Sequence, residues 1–171
     1  MERESDKKTL KILVAEDDPN DAFLLQYAFS RAALRPQLDF VQDGQEAVDY
    51  LNGTGQAGAR RAPDLLLLDL KMPRLNGFDL LKWLNRQPKL RLVPVIIFSA
   101  SQEPSDIERA YGLGASSFLV KPPTSEGLDQ LIGCFHRYWA EWNRAAEQAS
   151  HVHAAVDSQH LAGDVTGPVA G

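Results

Sequence analysis

The segment LLLLDLKMPRLNG, residues Leu65 to Gly77, decides the fold. Its four consecutive leucines are apolar at every position, so both faces of the run are expected to be buried. A short apolar run of this kind is typical of a strand in a parallel sheet that carries helices on both sides. The run ends at Asp69, and Gly77 precedes an amphipathic segment that predicts a helix. The segment therefore indicates a β-strand, a loop and an α-helix, with an acidic residue at the carboxyl end of the strand.

The same alternation of a short apolar run and an amphipathic segment recurs along the chain. The five runs are Ile12–Ala15, Leu38–Val41, Leu65–Leu68, Val93–Phe98 and Ser117–Val120. The first predicted helix runs from Pro19 to about Ala33, the second follows Gly44 and the third follows Gly77. The fourth has Ser101 as its capping residue and Tyr111 facing inward, and the fifth begins near Thr124. Five such units joined by right-handed crossovers predict an α/β fold, a (βα)5 doubly wound parallel sheet of five strands.

Length and composition limit the possible functions. The 171 residues suit one domain, and the net charge of −5 disfavours a nucleic-acid-binding surface, which usually has a basic excess. No apolar run approaches the roughly 18 residues of a membrane-spanning helix, and the first ten residues lack the apolar core of a signal peptide. The single cysteine, Cys134, fits a reducing compartment. We therefore expect a cytoplasmic protein with neither nucleic-acid nor membrane partners. Cys134 lies between Ile132 and Phe135 in a predicted helix, so we expect it to be a packed thiol.

Residues with useful chemistry directly follow four of the predicted strands. Glu16 and Asp17 follow the first strand, Asp69 the third, Ser99 the fourth and Lys121 the fifth. In an open parallel sheet these positions meet at the carboxyl edge of the strands. Clustered carboxylates suit Mg²⁺, and a carboxylate can itself attack phosphorus. The pattern predicts Mg²⁺-assisted phosphoryl transfer to an aspartate, with the lysine and serine neutralising phosphoryl oxygens.

These residues lie in segments that resemble the response-regulator receiver domain. The matching segments are ILVAEDDPND, LLLLDLKMPRLNG, VIIFSAS and FLVKP, and the resemblance covers about Leu10 to Trp139. It implies the flavodoxin-like receiver fold, with Asp69 as the phospho-acceptor. It also implies that Mg²⁺ is held by Glu16, Asp17, Asp69 and the backbone carbonyl of Lys71.

The resemblance also implies a phosphate contact and a conformational switch. Ser99 and Lys121 correspond to the phosphate-contacting residues, and Ser99 and Phe118 to the switch residues. The Lys121–Pro122 bond is expected to be cis, as is typical of the family. Because Phe118 replaces the commoner tyrosine, a switch here cannot depend on a tyrosine hydroxyl.

Within this family, the chain is most similar to phytochrome-associated single-domain response regulators. The acidic stretch EDDPNDA, the loop NGTGQAGARRAP and an aromatic helix end carry this narrower resemblance. It implies a phytochrome-type histidine kinase as partner, with no enzymatic activity beyond the chain's own phosphorylation and dephosphorylation. Aromatic side chains at a helix end also favour a homodimer interface, for which the candidates are Tyr138, Trp139 and Trp142.

The predicted organisation is an N-terminal extension over 1–9, a receiver with an extended C-terminal helix over 10–148, and a disordered tail over 149–171. An alternative is a receiver fold used as a binding scaffold without phosphorylation, which an incomplete set of acids and lysine would favour. A hydrolase of the haloacid-dehalogenase type is disfavoured, because that class has a second aspartate where Lys71 stands.

Overall fold

Five parallel strands form the centre of the computed structural model, which describes residues 9–32, 35–53 and 61–142, except the side chains of 136 and 140–142. The strands are β1 (Lys11–Ala15), β2 (Gln37–Val41), β3 (Leu65–Leu68), β4 (Val95–Ser99) and β5 (Ser117–Val120). They lie in the order β2-β1-β3-β4-β5, and all neighbours are parallel. This order reverses at β1 and β3, as in a doubly wound sheet. The predicted fold is confirmed.

Burial explains the position of each strand in the sheet. Every residue of β1, β3 and β4 is buried, whereas β2 and β5, the two edge strands, are partly exposed. Burying a leucine side chain contributes about 2 kcal/mol. The four leucines Leu65–Leu68 therefore favour the centre of the sheet, where both of their faces are covered.

Backbone hydrogen bonds continue the sheet just past the strand ends. The amide of Asp69 donates to the Ala15 carbonyl at 3.0 Å, and that of Lys121 donates to the Ser99 carbonyl at 2.9 Å. These bonds fix the first residues after β3 and β5 against neighbouring strands. The side chains that follow the strands are thus held at one edge of the sheet.

Five α-helices connect and flank the strands. They are α1 (Pro19–Arg31), α2 (Gly44–Asn52), α3 (Gly77–Asn85), α4 (Pro104–Gly112) and α5 (Ser125–His136). The side chains of Asp18, Asp43 and Asn76 cap the first three by accepting hydrogen bonds from backbone amides. Within the described ranges, none of the helices has the length and apolar character needed to cross a bilayer.

The fourth unit differs from the prediction in three details. The strand begins at Val95 rather than Val93, after a proline that has no amide hydrogen for the sheet. Ser101 does not cap α4, because its hydroxyl is bonded to the Asp106 carboxylate at 2.6 Å and Glu103 is the N-cap residue. Tyr111 is 49% exposed rather than inward-facing.

The chain divides into two compact units, Met1–Gly133 and Cys134–Gly171. In the second unit the end of α5 is followed by a π-helical segment, Arg137–Trp142, where the sequence predicts one continuous α-helix. The rings of Tyr138 and Trp139 meet edge to face there, with centroids 5.4 Å apart. Cys134 is exposed, contrary to the expected packed thiol. Most of the predicted extension and the whole predicted tail lie outside the described residues.

Candidate functional site

An acidic cluster lies where β1 and β3 end side by side. Glu16, Asp17 and Asp69 each place one carboxylate oxygen within 4.8 Å of the others. Glu16 and Asp69 are buried, and Asp17 is exposed. Because the sheet order reverses between β1 and β3, the loops after these strands diverge and leave a crevice at this point. The structure thus brings together the three acids that the sequence predicts.

The loop between β3 and α3 folds back onto Asp69. The backbone amide of Leu70 donates to Asp69 Oδ1 at 2.7 Å, and the amide of Gly77 donates to the Leu70 carbonyl at 3.0 Å. A Cβ atom on Gly77 would lie 2.4 Å from the Asp69 carbonyl oxygen, closer than atoms can pack. Only glycine allows this approach, which fixes the backbone around the candidate phospho-acceptor.

The Lys121 ammonium joins the acids on one side of the crevice. Its Nζ lies 2.7 Å from Glu16 Oε2, 2.7 Å from Asp21 Oδ2 and 3.3 Å from Asp69 Oδ2. Burial alone would lower the pKa of Lys121, but the bonds to Asp21 and Glu16 and the Asp69 charge outweigh burial and raise the pKa. The lysine is therefore a permanent positive charge beside the carboxylate of Asp69.

Glu16 is the most strongly perturbed acid of the cluster. Burial raises its pKa from 4.5 to about 7, and the Asp69 charge adds to that effect, although the contact with Lys121 opposes it. Its Oε1 also accepts a hydrogen bond from the Asp18 amide at 3.1 Å. Without further positive charge, the ionised form of this carboxylate is therefore unfavourable in free energy.

The donor set fits a hard divalent cation. All three acidic side chains offer oxygen, two of them are buried, and Lys121 supplies a single positive charge against them. Oxygen-only ligands around an open crevice are those that Mg²⁺ and Mn²⁺ prefer. Lys71 lies on the loop that leaves Asp69, and the role of its carbonyl as a ligand stays a prediction.

The two expected switch residues lie on the neighbouring strands. Ser99 is buried at the end of β4, where its hydroxyl accepts a hydrogen bond from the Ser101 amide at 3.5 Å. Phe118 of β5 pairs in register with Ile97, is half-buried against the hydrophobic core, and donates its amide to the Tyr111 hydroxyl at 3.2 Å. Their roles in a switch stay predictions.

Comparison with known families agrees with this geometry. Residues 12–133 match the family model of the response regulator receiver domain. The chain belongs to this family. A relative is the probable methanogenesis regulatory protein FilR2 of Methanothrix harundinacea, which is 34% identical over 134 residues that cover 78% of this chain and 86% of the relative. The family is that of the receivers of two-component signalling systems.

Solved receivers of phytochrome signalling are also similar. The phosphorylated cyanobacterial phytochrome response regulator RcpA is 29% identical with a TM-score of 0.74, covering 81% of this chain and 99% of that one. The Mn²⁺-bound form of response regulator Rcp1 is 26% identical with a TM-score of 0.71, covering 80% and 98%; Rcp1 comes from Synechocystis. The predicted likeness to phytochrome-associated receivers is confirmed.

One residue of this receiver site escaped the sequence reasoning. Asp21, in the first turn of α1, binds the ammonium of Lys121 as closely as Glu16 does. The available signal was its place in the first helical turn after β1, at the same edge of the sheet as the acids.

The sequence reasoning was wrong about the Lys121–Pro122 bond, which is trans, as are the other peptide bonds of the described residues.

The expected interface residues lie in the second unit. Tyr138 is 57% exposed, and Trp139 contacts both Tyr138 and Phe135 through its ring. The side chain of Trp142 lies outside the described part of the chain. A role for these aromatic residues in a homodimer stays a prediction.

Proposed function

We propose that this receiver accepts a phosphoryl group on Asp69 from a phosphohistidine of a partner histidine kinase. The observation that carries the proposal is the Lys121 ammonium, which lies within reach of Asp69 and Glu16 in one acidic crevice. A carboxylate nucleophile, a fixed cation beside it and an oxygen-ligand set for a metal are the parts that such a transfer requires.

The two oxygens of Asp69 have different surroundings. Oδ1 accepts the Leu70 amide, while Oδ2 faces Lys121 at 3.3 Å. In the proposed step Oδ2 attacks phosphorus, the new O–P bond forms, and the P–N bond of phosphohistidine breaks with its electron pair passing to the imidazole nitrogen. The signal ends by hydrolysis of the aspartyl phosphate: water attacks phosphorus, the O–P bond to Asp69 breaks, and inorganic phosphate leaves.

Charge neutralisation is the main contribution of the surrounding residues. Lys121 places its positive charge beside the phosphoryl oxygens, and Ser99 can donate its hydroxyl to another of them. A bound Mg²⁺ would neutralise further negative charge, held by Glu16, Asp17, Asp69 and the Lys71 carbonyl. The Mn²⁺ reported for Rcp1 supports a divalent cation at this site.

The phosphoryl group would act as a conformational signal. A hydrogen bond from Ser99 draws the β4–α4 loop toward the site, and Phe118 moves into the space that this leaves. Both arrangements exist beforehand, and the phosphoryl group shifts their populations through its different contacts in each. The receiver turns over no separate substrate in this scheme, so it transmits a signal rather than working as an enzyme.

An exposed apolar surface on α1 supports a docking place for the kinase. Phe23, Leu24 and Tyr27 are 65%, 41% and 50% exposed, and the rings of Phe23 and Tyr27 stack with centroids 6.4 Å apart. A cleft of about 420 Å³ runs from Phe23 to Glu16 and Asp17. A helical kinase domain that docks on α1 would therefore present its phosphohistidine at the acidic cluster.

The likeness to RcpA supports a kinase of the phytochrome type. A receiver served by an ATP-dependent kinase works where ATP is found, so the proposal places it in the cytoplasm. The exposed ring of Tyr138 and the neighbouring Trp139 support a homodimer formed through the second unit.

Chemical phosphorylation tests the proposal directly. Incubation of the full chain with acetyl phosphate and Mg²⁺ should add one phosphoryl group that is stable in acid and labile in base. Asp69→Asn should abolish this labelling, while Asp79→Asn, at a half-exposed aspartate of α3, should retain it. Undiminished labelling of Asp69→Asn would refute the assignment of the acceptor.

A further inference from the structure

The ammonium of Lys121 is crowded by carboxylates, since it donates hydrogen bonds to Asp21 and Asp69 and forms an ion pair with Glu16. An ammonium carries three donors, and three different carboxylates surround this one. Glu16 and Asp21 each lie at 2.7 Å, and Asp69 lies at 3.3 Å. A phosphoryl oxygen that binds Lys121 must therefore compete with carboxylates that already contact it.

The surroundings of the three carboxylates identify the partner that gives way. Glu16 has a side chain only 3% exposed, and its other oxygen is held by the Asp18 amide. The side chain of Asp69 is 8% exposed, and its carboxylate is the proposed acceptor of the phosphoryl group. Asp21 is 38% exposed in its side chain on the first turn of α1, so water can replace the lysine there at little cost.

We propose that Asp21 holds Lys121 in the phosphate-free receiver and competes for it with the phosphoryl group of an incoming donor. The inference rests on the proposed transfer to Asp69 and adds a regulator of that same site. Asp21 acts through Lys121 and is therefore a positioning residue. Its negative charge also repels the anionic donor, so both effects weaken donor binding rather than the transfer step itself.

Saturation kinetics separate these two steps. The labelling rate of the full chain is measured against acetyl phosphate concentration, at a Mg²⁺ concentration that saturates each variant. In Asp21→Asn the KM for acetyl phosphate should fall by up to roughly five-fold, which is the change in affinity expected when one partly exposed ion pair is lost. The maximal rate constant should change by less than about two-fold. Asp21→Glu keeps the carboxylate and should keep the wild-type KM.

A neighbouring aspartate provides the matched control. Asp18 lies in the same acidic stretch, and its side chain caps α1 by accepting the Asn20 amide at 2.8 Å, a bond that asparagine can also make. Asp18→Asn removes the same charge without removing a contact to Lys121. Its KM should stay close to that of the wild type.

Two outcomes would overturn the inference. One is an unchanged KM in Asp21→Asn, which together with a lower unfolding midpoint would indicate a structural role only. The other is an equal fall of KM in Asp18→Asn. Failure of the wild-type chain to be labelled at all would instead refute the proposed function. A labelled wild type with the same KM in Asp21→Asn would refute only the role of Asp21.

Discussion

Arg74 and Asp43 form an ion pair that fastens the β3–α3 loop to the start of α2. Asp43 Oδ2 accepts the Arg74 Nε–H at 2.6 Å, while Oδ1 caps α2 by accepting the amides of Gln45 and Glu46 at 2.8 and 3.0 Å. Burial would raise the pKa of Asp43, but these amides and the guanidinium outweigh burial and lower the pKa. Arg74 has a φ of 60°, a left-handed conformation that is uncommon outside glycine. The pair thus helps to hold the loop that begins at Asp69, the proposed phospho-acceptor.

The two bonds of Asp43 predict different costs for two substitutions. Asp43→Ala removes both the helix cap and the ion pair, and should lower the free energy of unfolding by about 1–2 kcal/mol, as expected for a lost cap. Asp43→Asn can keep the cap and loses only the charge, so its loss should be smaller. Urea unfolding measures both values. An equal loss in the two variants would mean that the cap contributes nothing.

The raised pKa of Glu16 predicts a pH dependence of stability in the absence of divalent cations. Because the pKa of Glu16 is about 7 in the folded state and 4.5 is its ordinary value, taken for the unfolded chain, the folded protein binds this proton more tightly. The resulting stability is fully present below pH 4.5 and is lost as the pH rises through 7. Between pH 5 and pH 8 the loss should amount to up to about 3 kcal/mol. Urea unfolding in the presence of a chelator at the two pH values measures it.

Glu16→Gln is the control for this pH dependence, because glutamine does not titrate. The raised pKa of Lys121 and the lowered pKa values of Asp39 and Asp43 keep these groups charged throughout the window. The difference in stability between pH 5 and pH 8 should therefore be smaller in the variant. The same pH dependence in both proteins would show that Glu16 does not titrate in this range.

The sequence predicts the parts of this site that depend on strand ends, and misses those that depend on side-chain direction. Asp69 could be placed because four buried leucines precede it, and in a parallel sheet the end of a strand has a known position. Asp21 could not, because whether a residue in a first helical turn faces the sheet edge or solvent depends on how the helix packs. The bond between Arg74 and Asp43 joins two loops that are distant in sequence, so no local sequence pattern predicts it.

Cation binding should depend on the exposed acid of the cluster. Asp17→Asn removes one carboxylate ligand and should weaken Mg²⁺ binding roughly ten-fold or more, since charge attraction between a carboxylate and a divalent cation is strong at short range. Isothermal titration calorimetry at pH 8, where Glu16 is ionised, measures the affinity. Asp18→Asn should bind Mg²⁺ almost as the wild type does. Equal affinities of Asp17→Asn and the wild type would exclude Asp17 as a ligand.

The aromatic residues of the second unit predict self-association through that unit. Tyr138 is 57% exposed beside Trp139, and aromatic side chains in this state commonly carry much of the binding energy of an interface. Replacing both by alanine should weaken a dimer by roughly ten-fold or more, because truncation of an aromatic residue at the centre of an interface costs about 2 kcal/mol or more. Sedimentation equilibrium of the full chain measures the association constant. Tyr27→Ala removes a ring of similar exposure, 50%, from α1 and should leave that constant unchanged. A monomeric wild type would contradict the dimer.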